Sequence, residues 1–77
     1  MKLSKLCNGR CGKITKINTQ CPKLKKRLLE LGVRKNQIIR KERSAPLGDP
    51  IQYKINEYNI LIRKLEAEDI EINTLEE

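Results

Sequence analysis

The stretch Ile51-Gln52-Tyr53-Lys54-Ile55-Asn56-Glu57-Tyr58-Asn59-Ile60-Leu61-Ile62-Arg63 decides the fold. Ile51, Tyr53 and Ile55 alternate with Gln52 and Lys54, a period of two that makes a strand with one wet face and one dry face. Asn56-Glu57 then separates this run from the apolar run at 58–63, a spacing that suits a tight hairpin. A chain that commits its middle to a hairpin with one dry face needs further strands to cover that face.

Those strands are found on both sides. Toward the N-terminus, residues 37–43 carry Ile38 and Ile39 followed by alternating charge, and Ile14 and Ile17 follow a turn region marked by Gly9 and Gly12. Toward the C-terminus, residues 65–69 suit a single helical turn, and Ile70-Glu71-Ile72 alternates again as a closing strand. Residues 73–77 read as a frayed end.

One segment has another period. Leu24, Leu28 and Leu31 fall at i, i+4 and i+7, with Pro22 suited to the first helical turn and Gly32 to the left-handed residue past the end. This predicts one helix of about ten residues. About five short strands with so little apolar mass are best stabilised by curling the sheet on itself, so the chain is read as mainly β, a small barrel. Its inward residues are expected to be Ile14, Ile17, Ile38, Ile55, Ile60, Ile62, Ile70 and Ile72, with the leucine stripe covering one end.

Composition narrows function. The 77 residues, 38% hydrophobic and 35% charged, have room for one domain, 1–77, with a modest core. A cleft walled on all sides would consume core that so small a domain lacks. There is no histidine, the commonest general base, and the four scattered glycines make neither phosphate-cradling motif. Glu66, Glu68, Asp69 and Glu71 read as the solvent side of a turn and a strand. The chain is read as a binding or accessory module, not an enzyme, and no catalytic residue is assigned. Its apolar runs are too short to span a membrane or to form a signal peptide, which points to a cytoplasmic location without membrane insertion.

Charge is uneven. Residues 1–43 hold fourteen Lys or Arg against Glu30 and Glu42, a balance of +12, whereas residues 44–77 balance to −5. One face can therefore attract an anionic partner. The densest cationic cluster is Lys23, Lys25, Lys26 and Arg27 on the helix; it is either a solvated face or a partner-facing one.

Three motifs in order carry a resemblance. The helix exit Leu28-Leu29-Glu30-Leu31-Gly32-Val33, the loop Pro46-Leu47-Gly48-Asp49-Pro50 and the stretch Ile62-Arg63-Lys64-Leu65-Glu66-Ala67 together resemble the FeoA family of ferrous iron transport proteins, over nearly the whole chain. The resemblance implies an SH3-like β-barrel with one α-helix inserted after the first barrel strand. It also implies an accessory cytosolic role in bacterial ferrous iron uptake, with a FeoB-type permease and its GTPase domain as partner. The mechanism would be protein contact, recruiting the chain to the inner face of the membrane. The expected contact residues are Lys23, Lys25, Lys26 and Arg27 on the helix, with Leu47, Gly48 and Asp49 in a loop stiffened by two prolines. Gly48 is expected at positive φ, and Asp49 either caps an amide of its own turn or meets the partner.

Two rival readings stand beside it. Cys7, Cys11 and Cys21 are candidate ligands for iron or another transition metal, but they offer three thiols in a C-x3-C pair plus one, unlike the C-x2-C pairs of zinc ribbons. The alternative is that Cys7 packs near Leu6 and Cys21 sits before the helix as a small apolar residue, with no cofactor tightly bound. A small basic barrel could also bind nucleic acid. Tyr53 and Tyr58 are too few for a stacking platform, and Tyr53 shares the apolar face of its strand.

Overall fold

The computed structural model describes residues 1–75. After a 3-10 turn at Leu3–Lys5, the elements are β1 (Cys11–Ile17), α1 (Pro22–Glu30), β2 (Ile38–Ser44), β3 (Ile51–Ile55), β4 (Tyr58–Ile62), the single-turn α2 (Lys64–Ala67) and β5 (Ile70–Thr74). The strands form one antiparallel sheet in the order β4-β3-β2-β1-β5. This is the expected mainly-β architecture with its helix after the first strand. The hairpin falls where the alternation placed it: Ile55 pairs with Tyr58 across Asn56-Glu57, and Asn56 takes the positive φ of 54° that the turn requires.

Two bulges bend the sheet over its core. Thr15 is the extra residue of β1 opposite β5, and Glu42 that of β2 opposite β3. The first explains how Ile14 and Ile17, three apart on one strand, both face inward. Ile14 is fully buried and Ile17 packs partly buried against the same cluster. On β2 only one of two consecutive isoleucines can point in. Register decides it: Ile39 pairs with Ile55 and is fully buried, whereas Ile38 is 42% exposed, correcting its expected place in the core.

The helix follows its pattern. Pro22 occupies the first turn, Leu28 is fully buried, and Leu24 and Leu31 pack partly buried against the core. Past the end, Gly32 N–H donates to Leu29 O and Val33 N–H to Leu28 O, with Gly32 at φ 94°. These paired bonds form a Schellman motif, in which buried Val33 and Leu28 close the helix against the barrel.

The N-terminal segment enters the core unannounced by any period. Leu3 and Leu6, one 3-10 turn apart, are fully buried, and the Tyr53 hydroxyl donates to Leu3 O at 3.3 Å. The segment is held against β5 by bonds between Met1 and Ile72. Asn73 and Thr74, which the sequence places in a frayed end, instead pair with Lys13 and Gly12 in β5, and Leu75 N–H donates to Cys11 O. Gly12 lets β5 come this close: a Cβ there would lie 2.7 Å from Ile72 Cδ1. Residues 76–77 of that predicted frayed end lie outside the described residues.

Candidate functional site

The loop between β2 and β3 is built as a rigid projection. Gly48 N–H donates to Ala45 O at 2.7 Å, a turn with proline second and glycine last, and Ala45 N–H donates to Pro50 O to close the base. Gly48 has the expected positive φ, 88°. Leu47, at the corner, is 96% exposed. Asp49 does not cap its own turn. Its Oδ1 accepts the backbone N–H of Lys64, fifteen residues on, at 2.9 Å. That N–H opens α2, whose preceding residue is Arg63, a side chain with no acceptor to offer.

Glu66 completes the junction. Its Oε1 accepts the Arg63 N–H at 3.0 Å, and its Oε2 accepts the Arg27 guanidinium. Arg27 reaches on to Leu61 O at 3.4 Å. The four-residue α2 therefore fastens the loop to the helix, two elements that the sequence nominated separately. Among the expected contact residues, Asp49 is joined to Arg27 through this junction, and Leu47 and Gly48 stand beside Asp49 in the loop. The other cations do not form one face with it. On a helix turning 100° per residue, Lys23 shares the flank of Arg27, Lys26 points away from the barrel, and Lys25 falls beyond the buried Leu28. All three are exposed.

Between the loop and the outer face of the hairpin lies a groove of about 470 Å³, walled by Ala45, Pro46 and Pro50, floored by Gln52 and Leu61, with Arg43 at its rim. Gln52 and Leu61 are paired across β3 and β4 and both point away from the core. Leu61 is 56% exposed, and Leu65 on α2 is 77% exposed. Leu61, Gln52 and Arg43 are absent from the expected site. The signal was there, since alternation between inward Ile60 and Ile62 leaves Leu61 as an apolar residue on a wet face.

The three thiols do not meet at one site. Cys7 is exposed, not packed as expected, and Cys11 is half-buried; both border a pocket of about 200 Å³ with Lys5 and Arg10. Cys21 is exposed at the start of α1. Among the described residues no three His, Cys, Asp or Glu side chains are grouped to hold a metal ion. Of the tyrosines, Tyr58 is exposed and Tyr53 is buried, which pushes the Tyr53 phenol well above its ordinary pKa. The two rings are therefore not a shared stacking surface. Among the described residues no helix is long and apolar enough to cross a membrane.

Comparison with known proteins bears on this arrangement. A family model described as the FeoA domain matches residues 1–74. The chain is 33% identical over 75 residues to the Fe(2+) transport protein A/Fe(2+) transporter FeoB fusion protein of Porphyromonas gingivalis, covering 97% of this chain and only 9% of that protein. The solution structure of the FeoA protein from Chlorobium tepidum is 36% identical with a TM-score of 0.91, covering 99% of this chain and 71% of that one. The zinc-complexed FeoA of Stenotrophomonas maltophilia, described as a prokaryotic SH3 domain protein, is 22% identical with a TM-score of 0.81 over 95% of this chain and 89% of that one, a likeness of fold alone.

Proposed function

The chain belongs to the FeoA family, and from that membership we propose that it is an accessory protein of ferrous iron uptake, acting in the cytoplasm by contact with a FeoB-type iron permease and its GTPase domain. One observation carries the reading: in the Porphyromonas gingivalis relative, transport protein A and transporter FeoB are one polypeptide. Fusion holds two domains at an effective concentration that makes even a weak contact persistent.

The contact surface is the loop of Leu47, Gly48 and Asp49 together with the exposed cations of α1, Arg27 and Lys23 on the flank tied to that loop and Lys26 and Lys25 on the turns around it. Support comes from the junction at α2, which fixes loop and helix relative to each other through Asp49 and Glu66. Pre-fixed elements lose less entropy on docking. The chain performs no catalysis of its own in this reading, and recruitment by the permease brings it to the membrane. It holds no resident metal; ferrous ion is the cargo of the partner. The ground is ligand chemistry, since Cys21 stands apart from the pocket that Cys7 and Cys11 border.

The test is capture of the permease's cytosolic part by the tagged chain. Reversing Lys23, Lys25 and Lys26 to Glu should weaken capture while leaving the melting temperature unchanged. Arg27 is kept, because it is tied to Glu66 and its reversal would disturb the junction as well as the surface. Undiminished capture removes the helix from the interface; no capture by the unaltered chain overturns the reading.

A further inference from the structure

We propose that the groove beside the 46–50 loop seats an aliphatic side chain presented by an acidic segment of the partner. The inference rests on the permease-contact reading and names the chemistry of that contact. Leu61, 56% exposed, lies on the groove floor, and two further leucines stand exposed on the flanking segments, Leu47 at 96% in the loop and Leu65 at 77% on α2. The Asp49–Lys64 bond holds the loop of Leu47 beside the helix of Leu65, and Leu61 sits between the proline wall and Gln52. An isolated exposed leucine means little, but one set in a groove walled by Ala45, Pro46 and Pro50 marks a binding surface.

Charge chooses the occupant. Arg43 lines the groove, and Arg63 and Lys64 are exposed on the segment that Asp49 ties to it. None of these three is in an ion pair among the described residues. Of the neighbouring carboxylates Glu66 is paired with Arg27, whereas Asp49 is bonded to the Lys64 N–H and keeps its charge. These three cations therefore stand against the single charge of Asp49, a net positive balance beside the exposed Leu61. A basic segment would be repelled there, and an acidic one without an aliphatic anchor would leave the leucines wet.

The full chain, labelled with nitrogen-15, is titrated with three short synthetic peptides: a leucine flanked by aspartates and glutamates, the same peptide with serine for leucine, and the same with lysines for the acids. The acidic leucine peptide should shift the amides of Gly48, Gln52, Leu61 and Lys64. The other two peptides, and the acidic peptide on Leu47→Glu, should bind about tenfold more weakly or worse, the loss of one anchoring contact. Equal binding of the lysine peptide, shifts elsewhere, or no binding of the acidic peptide overturns the proposal. So does sedimentation with phosphatidylglycerol vesicles that Leu47→Glu abolishes when no peptide binds, which would make the surface a lipid site. Capture of the permease domain separates the two readings: if the unaltered chain and Leu47→Glu capture it equally, the groove proposal falls and the permease reading stands. If neither captures it, the permease reading falls.

Discussion

Asp49 accepts the backbone N–H of Lys64 at 2.9 Å, and this bond ties the loop between β2 and β3 to the first residue of α2. A helix start normally takes its cap from the residue just before it. Here that residue is Arg63, so the acceptor comes from a loop fifteen positions back. The bond serves stability and site together, because it also fixes where Leu47 stands relative to Leu65.

Removing that acceptor should be measurable. Asp49→Ala is expected to cost about 1 kcal/mol, the usual loss for a helix cap, read from the urea midpoint. Asp49→Asn keeps a side-chain oxygen and should retain most of the stability. Equal losses for both would mean that charge at Asp49, not the bond to Lys64, is what counts.

The Arg27–Glu66 pair lies at the surface, with Arg27 46% and Glu66 18% exposed as side chains. A double-mutant cycle on Arg27→Gln and Glu66→Gln should give a coupling of about 0.2–1 kcal/mol, shrinking as salt is raised. Glu66→Gln alone should cost less than the cap-destroying Glu66→Ala, since glutamine can still accept the Arg63 N–H. A coupling indistinguishable from zero at low salt would show that the pair does not hold α1 to α2.

Leu28 anchors the helix. Its side chain is fully buried and sits at the bonded end of the Schellman motif. Leu28→Ala should cost about 2–5 kcal/mol, enough in a domain of this size to unfold much of the population. An unchanged melting temperature would contradict the burial of the stripe.

Tyr53 gives an alkaline signature. Burial raises its phenol pKa in the folded chain, whereas in the unfolded chain it ionises near the ordinary value of about 10. The unfolded state therefore sheds this proton first as pH rises. The contribution is fully present below about pH 10 and is lost as pH climbs toward the folded value. Tyr53→Phe should flatten that part of the stability profile, after an offset at neutral pH for the lost bond to Leu3 O. Parallel profiles for the two proteins above pH 10 would contradict the assignment.

What could be read in advance follows the range of the interactions. The 51–63 hairpin and the 22–32 helix were legible because alternation, a leucine stripe, Pro22 and Gly32 all act within a few residues. The N-terminal core residues Leu3 and Leu6 were not, since a single 3-10 turn leaves no period to detect. Nor was the choice of Ile39 over Ile38, which depends on pairing with Ile55.

The same division runs through the site. The chain by itself determined the rigid loop, the positive φ at Gly48 and the cationic helix, because these are local consequences of proline, glycine and charge. Only the tertiary structure decided that Asp49 would serve Lys64, that Arg27 would be bound by Glu66, thirty-nine residues on, and that Leu61 would floor a groove beside Pro50. Those contacts exist because a curved sheet brings distant backbone donors and side-chain acceptors within hydrogen-bond reach, and a period read along the chain carries no information about what lies across it.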